Sequence, residues 1–100
     1  MNLADLFKRA TGEYDERLAE EILQQYINVY SPVINRLCAL GADRDDLIQE
    51  LRIALWKAWV RWDGRISLRR WISWKLRWLL REQERKAISR ARRIRTIPLN

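Results

Sequence analysis

The chain has 100 residues, of which 48% are hydrophobic and 33% charged, a balance typical of one small folded domain rather than a disordered segment. Its longest stretch without a charge, residues 22–35, is too short to span a bilayer, so no membrane-spanning segment is expected. The single Cys38 cannot form an internal disulfide and the N-terminus lacks a signal-peptide pattern, which together favour a reducing cytoplasm.

Charge is unevenly distributed along the chain, whose formal net charge is +7. Residues 1–63 contain eight Lys/Arg and eleven Asp/Glu, a net of −3, whereas residues 64–100 contain twelve and two, a net of +10. So basic a second half predicts a polyanionic partner, either a nucleic acid or an anionic membrane surface.

Four helical segments and no strand are predicted from the spacing of apolar residues. A short amphipathic helix covers residues 2–10 and is followed by Thr11 and Gly12. A longer helix covers residues 14–40, and Pro32 is expected to kink or interrupt it because proline lacks a backbone donor. Gly41 then supplies the left-handed conformation that commonly ends a helix.

The next helix is predicted to begin after Asp43, a good N-cap residue, and to end near Trp62 at an Asp-Gly turn. Ser67 is expected to cap the last helix, which runs to about Lys86 or beyond. Pro98 predicts an extended exit, so residues 94–100 are expected to form a basic extended tail. The predicted fold is all-α, a three- to four-helix bundle in one domain, with an N-terminal helix in residues 1–13 and core helices in residues 14–93.

The helix over residues 43–62 has two opposed apolar faces on a helical wheel. One face contains Leu47, Leu51, Ala54 and Ala58, extended by Leu55 and Trp62. The other contains Ile53, Trp56 and Val60, in line with Gln49 and edged by Arg52. A central helix covered on both sides would account for this pattern, and so would a helix whose second face docks on another protein.

The last helix also has two apolar stripes. The first is a core stripe of Leu68, Ile72, Leu76 and Leu79. The second consists of Trp71, Trp74 and Trp78, flanked by Arg70, Arg77, Arg81 and Arg85. Indoles stack on bases and guanidinium groups neutralise phosphates, so this stripe favours a single-stranded nucleic acid. Core packing and a helix lying on a membrane surface are the alternatives.

Catalytic chemistry is not indicated by the residue inventory. The chain has no His and a single Cys, so no zinc site of the usual type is expected, and its three glycines are isolated rather than grouped in a phosphate-binding loop. Asp43, Asp46 and Glu50 could share a metal, although helix capping accounts for the first two. We therefore predict a protein that is not an enzyme and has no metal or cofactor.

The sequence resembles a known family most clearly in residues 46–63. The segments Asp46-Leu47-Ile48-Gln49-Glu50, Leu55-Trp56-Lys57-Ala58 and Arg61-Trp62-Asp63 resemble the signature of region 2 in the bacterial sigma-70 family. Residues 68–72 and 77–80 resemble the promoter-melting helix of its compact alternative members, and the similarity covers about residues 20–100. The resemblance implies the fold of a sigma region 2 domain.

The resemblance also implies partners. In that family the signature helix docks on the clamp helices of the RNA polymerase largest subunit. The residues that it assigns to polymerase binding are Asp46, Gln49, Glu50, Arg52, Ile53 and Trp56.

The family's next helix captures an unpaired base from the non-template strand of the −10 promoter element. The residues that the resemblance assigns to DNA contact are Arg69, Arg70, Trp71, Trp74, Lys75, Arg77, Trp78 and Arg81. Trp71 matches the stacking aromatic and Trp74 the first member of a Trp pair, whose second member is replaced here by Lys75.

The sequence given ends at Asn100 and contains no later helix-turn-helix region for the −35 element. The resemblance therefore predicts a transcription initiation protein that works with a second sigma-like subunit, as in split or phage-type minimal sigma factors. Two alternatives stay open at this point. One is a polymerase inhibitor that mimics region 2, and the other is a basic single-strand-binding module with no polymerase contact.

Overall fold

The structure, a computed structural model, describes residues 14–96, with side chains up to residue 92. This part of the chain forms four helices, α1 (Glu16–Val29), α2 (Ser31–Ala39), α3 (Arg44–Val60) and α4 (Leu68–Thr96). No strand occurs in residues 14–96, and the predicted all-α class is confirmed. The helix predicted over residues 2–10 lies outside the described residues.

Helices α1 and α2 are the two parts of the predicted 14–40 helix. Asp15 caps α1 by accepting the backbone N–H of Leu18 at 3.1 Å. Pro32 lies in the first turn of α2, where a missing backbone donor leaves no helical hydrogen bond unmade. The predicted interruption is therefore confirmed. It falls at Tyr30, which still donates its N–H to the carbonyl of Tyr26.

Local signals also fix both ends of α3. Gly41 has a φ of 106° and occupies the left-handed region that ends the preceding helix, as predicted. The carboxylate of Asp43 accepts the N–H of Asp46 at 3.0 Å and caps α3. The helix ends at Val60, two residues before the predicted end at Trp62.

The loop between α3 and α4 contains Gly64, with a φ of 83°, at the predicted turn. Ser67 accepts the N–H of Arg70 at 3.2 Å and caps α4, as predicted. Helix α4 extends to Thr96, so residues 94–96 are helical and not part of an extended tail. The physical reason is that proline restricts the residue directly before it, not the residues further upstream. Residues 97–100 lie outside the described part of the chain.

The four helices share one apolar core. Helix α3 packs against both α1 and α4, and α2 packs against α1 and α4. Most members of the predicted core stripes are buried, namely Leu47, Leu51, Leu55 and Ala58 of α3 and Leu68, Ile72 and Leu76 of α4. Ala54, Trp62 and Leu79 are only partly buried, and Leu80 takes the place predicted for Leu79. The stripe shifts because α4 packs on α2 as well as on α3, which turns a different side of its later turns inward.

Trp59 is a core residue that the helical wheel did not assign. Its side chain is 1% exposed, and its ring meets the ring of Tyr14 edge-on, with centroids 5.4 Å apart. Its buried indole N–H has no hydrogen-bond partner among the described residues. The buried side of α3 is thus wider than one stripe, because α1 and α4 cover it from two directions.

Candidate functional site

Helix α3 exposes an apolar stripe on the side away from the core. We call Gln49, Ile53, Trp56 and Val60 the outer stripe of α3. The last three are 43%, 46% and 57% exposed, and they lie one turn apart along one side of the helix. Because other residues fill the core, these side chains are surplus to what holds the bundle together. An exposed aromatic residue between aliphatic neighbours and a polar rim is typical of a protein-binding surface.

The remaining polar residues of the predicted polymerase-binding set are placed around this stripe. Asp46 is exposed next to it. Arg52 donates to both carboxylate oxygens of Glu20 on α1, at 2.5 and 3.2 Å, and to the side-chain oxygen of Gln49 at 2.7 Å. The hydrogen bond with Glu20 raises the pKa of Arg52 above its ordinary value. The structure therefore holds Arg52 in a bonded network instead of leaving it free at the edge.

Glu50 belongs to the same predicted set but is directed to the other side of α3. Its carboxylate accepts a hydrogen bond from the side-chain amide of Gln83 on α4 at 2.9 Å. Glu50 and Arg52 thus flank the outer stripe, one bonded to α4 and the other to α1. Among the predicted residues, Gln49, Ile53 and Trp56 are the ones that the structure brings together on the outward face.

The tryptophans of α4 are not equally free. Trp74 and Trp78 are each 59% exposed, whereas Trp71 is partly buried against the core. The indole N–H of Trp71 donates to the carbonyl of Ala58 at 2.6 Å, which satisfies a carbonyl in the last turn of α3. The rings of Trp71 and Trp74 lie 6.0 Å apart at a tilt of 57°. The tryptophan stripe of α4 therefore combines the fixed indole of Trp71 with the two accessible indoles of Trp74 and Trp78.

A groove with a volume of about 510 Å³ runs between α3 and α4 beside these indoles. Its walls are formed by Ala54, Lys57, Ala58, Arg61, Trp71, Lys75, Trp78 and Leu79. Lys57 and Arg61 were not among the predicted site residues. Their sequence signal is a pair of cations four residues apart, next to two alanines that leave room for a groove. An apolar floor with cations at its edges suits a base with its phosphates.

The other predicted DNA-contacting residues lie beyond this groove. Arg70, Trp74 and Arg77 line a separate depression with Ile66 and Ser73, with a volume of about 430 Å³. Arg81 and Arg77 border a smaller cavity of about 170 Å³ next to α2. Arg69 is exposed roughly 140° around α4 from Trp74, since successive helical residues are about 100° apart. The predicted set is therefore spread over neighbouring surfaces of α4.

Lys75 lies between Trp71, which lines the groove, and Trp74, which lines the neighbouring depression. Its ammonium nitrogen is 4.7 Å from the ring centroid of Trp71 and 5.1 Å from that of Trp74. Both distances are within the range of a cation–π interaction.

The arginines next to these tryptophans are free of acidic partners in the described region. Glu84 pairs with Arg36 of α2 at 2.9 Å, and Glu82 pairs with Arg85 at 2.8 Å. Among residues 14–92, no acidic side chain forms an ion pair with Arg69, Arg70, Arg77 or Arg81. This side of α4 keeps its positive charge available for phosphate groups.

Neither a metal site nor a membrane-spanning helix is found in residues 14–96. Within residues 14–96, no three His, Cys, Asp or Glu side chains are grouped so that they could hold a metal ion. None of the helices there has the length and apolar character needed to cross a bilayer.

An all-α bundle with a basic, tryptophan-rich helix is typical of proteins that bind nucleic acids, and comparison with known families gives the particular family. The chain matches sigma-70 region 2 over residues 22–96, about three quarters of its length. It therefore belongs to the sigma-70 region 2 family, as the signature in residues 46–63 indicated. Comparisons with curated proteins and with solved structures give no match.

Membership in this family establishes a coarse function. Region 2 of a sigma factor is a non-enzymatic transcription domain that associates with core RNA polymerase and recognises promoter DNA. Both α3 and α4 lie within the matched residues.

Proposed function

We propose that this protein acts in transcription initiation, with α3 bound to the clamp helices of the RNA polymerase largest subunit and α4 bound to unpaired bases of the −10 element. The observation that carries the proposal is the exposure of Trp56, Trp74 and Trp78 on a bundle whose core is filled without them. Each helix thus has a surface left for a partner. The two partners differ because the surface of α4 is rich in arginine and that of α3 is not.

The polymerase-binding surface is proposed to consist of Asp46, Gln49, Glu50, Arg52, Ile53 and Trp56. Trp56 is its central apolar anchor, and polar groups surround it. The bonds of Arg52 to Glu20 and Gln49 support this role, because a rim that is already ordered loses less side-chain entropy on binding. Val60 extends the apolar stripe by one turn and is added to the proposed contact.

The DNA-binding surface is proposed to use stacking and phosphate contacts together. Extruding a base from a duplex costs a few kcal/mol, and stacking on an aromatic side chain contributes about 1–3 kcal/mol per base. Trp71, Trp74 and Trp78 supply the rings. Arg69, Arg70, Arg77 and Arg81 supply cations that have no acidic partner among residues 14–92. Lys57 and Arg61 are added because they line the groove beside Trp78.

We also propose that a second sigma-like subunit supplies recognition of the −35 element and that the protein works in the cytoplasm, where RNA polymerase acts. The support is that the family match is to region 2, which recognises the −10 element. Readout of a second promoter element by a helix in the major groove needs a further DNA-binding unit.

The proposal is tested by transcription with purified core polymerase, this protein, and candidate partner subunits. We expect start-site-specific transcripts when a partner is present and none when this protein is omitted. Repression of transcription driven by another sigma factor, without any new start site, would instead identify a region 2 mimic that blocks the clamp. Binding of DNA without any binding to polymerase would identify a single-strand-binding module.

A further inference from the structure

The ammonium group of Lys75 lies against two of the aromatic rings in the proposed DNA-binding surface. Lys75 follows Trp74 directly and lies four residues after Trp71, so its side chain reaches the rings of both. Its ammonium nitrogen is 4.7 Å from one ring centroid and 5.1 Å from the other. One cation thus interacts with two indoles at once.

The surroundings keep this arrangement in place. The indole of Trp71 is fixed by its hydrogen bond to the carbonyl of Ala58. Lys75 itself is only partly exposed and lines the groove between α3 and α4 together with Trp71 and Trp78. Trp74 lies on the other side of Lys75 and borders the neighbouring depression. Lys75 is therefore located at the boundary between the two surfaces that we assign to bases.

We propose that Lys75 covers stacking faces of Trp71 and Trp74 in the free protein and moves to a phosphate of the DNA when an unpaired base takes its place. This inference rests on the proposed function of α4. A stacked base lies about 3.5–4 Å from a ring, so a base and the ammonium group cannot occupy the same ring face. Lys75 accordingly covers these ring faces until DNA arrives and then contacts the DNA itself.

The exchange has two opposite effects on affinity. Loss of the cation–π contact reduces affinity, by about two- to fivefold for the range typical of exposed sites. The new phosphate contact increases affinity, but this gain decreases as salt concentration rises because it depends on counterion release. Lys75 should therefore favour binding at low salt and oppose it at high salt.

The test compares the wild-type protein with Lys75→Met, which keeps the aliphatic chain and removes the charge. The probe is a fluorescent single strand of about 12 deoxythymidines, within the usual site size, and affinity is measured by anisotropy over a series of salt concentrations. We expect the log–log salt slope of the variant to be shallower by about 0.7. Loss of the cation–π contact lowers the affinity of the wild type by about two- to fivefold. The plots of log affinity against log salt for the wild type and Lys75→Met should therefore cross between about 0.1 and 0.4 M salt.

Two control variants distinguish the proposed movement of Lys75 from a simple contact between a cation and a phosphate. Lys57→Met removes a cation from the same groove, and its line should not cross that of the wild type below about 1 M salt. Lys75→Arg keeps the charge, and its slope should equal that of the wild type. Lines for wild type and Lys75→Met that stay parallel, or that approach without crossing, would overturn the inference. If the wild-type protein does not bind the strand, or if the Trp74→Ala variant binds it as tightly as the wild type does, the proposed function of α4 is wrong. This inference is then wrong as well.

Discussion

Tyr26 joins the first part of the bundle to α4, the helix that we propose binds DNA. Its hydroxyl is hydrogen-bonded to the hydroxyl of Ser73 on α4, and its ring stacks on that of Tyr30 at a centroid distance of 5.8 Å. Burial, followed by the nearby Tyr30, raises the pKa of Tyr26 to about 12. The folded protein therefore retains this proton at a pH where the unfolded chain has lost it.

This difference predicts a loss of stability at alkaline pH. The unfolded phenol ionises near its ordinary pKa of 10.0 and the folded one near 12, so the free energy of unfolding falls as pH rises from 10 to 12. Between pH 9 and pH 11 the decrease from this group is about 1.3 kcal/mol. Urea unfolding followed by circular dichroism should show a smaller decrease for Tyr26→Phe. An equal decrease in both proteins would contradict the assignment.

Variants at Trp74 and Trp71 distinguish an effect on promoter opening from an effect on the stability of the fold. Trp74 is 59% exposed, so Trp74→Ala should change the free energy of unfolding by less than about 0.5 kcal/mol. We expect it to preserve polymerase binding and to reduce promoter opening, measured by permanganate footprinting. Trp71→Ala should reduce opening as well, with an added loss of stability because it also breaks the bond to Ala58. Normal opening by both variants would rule out the stacking role.

At the scale of the helix, the outer stripe of α3 gives a test of the proposed polymerase-binding surface. The double variant Gln49→Ala with Trp56→Ala should weaken binding to core polymerase by at least about tenfold, since buried aromatic anchors carry much of the energy of an interface. Helix content should stay the same because both side chains are exposed in the free protein. Val29→Ala, an exposed apolar residue on α1, is the matched control and should bind normally. Wild-type affinity of the double variant would remove α3 from the interface.

The helices themselves could largely be predicted from the sequence because their signals are local. The caps at Asp43 and Ser67, the break near Pro32 and the stop at Gly41 each depend on a few neighbouring atoms. The end of α4 could not be predicted in this way. Pro98 indicates where a helix cannot continue but does not indicate how closely the helix approaches it.

Trp56 and Trp59 show where a helical wheel reaches its limit. They lie three residues apart on α3, yet one is 46% exposed and the other 1%. The wheel assigned Trp56 to a second face correctly and left Trp59 unassigned. The burial of Trp59 depends on the angle at which α1 and α4 cover α3, which is a property of the packed bundle and not of the helix alone.

For the molecule as a whole, the uneven charge seen in the sequence places most of the positive charge on α4. Residues 64–100 have a net charge of +10, and the described part of this segment is α4 with the loop before it. If about five of these cations contact phosphates, the log–log slope of single-strand affinity against salt should be near −3.5. A slope near zero would mean that stacking alone holds the strand.

The composition of the candidate site was more predictable than its arrangement. Helical periodicity was sufficient to place Trp74 and Trp78 on an exposed stripe. The division of the predicted residues among a groove and two further depressions was not predictable, because each depression is completed by side chains from α2, from α3 or from the loop before α4. For the same reason Lys57 and Arg61 were missed.

The bond from the indole of Trp71 to the backbone of Ala58 links the two surfaces of the molecule. It joins the helix that we propose binds polymerase to the helix that we propose binds DNA, so a tilt of α3 on docking would move this indole directly. An NMR signal from the Trp71 indole N–H should then shift when polymerase is added without any DNA. Contact with the enzyme would in that case reach the proposed stacking indole through α3, before any DNA strand has separated.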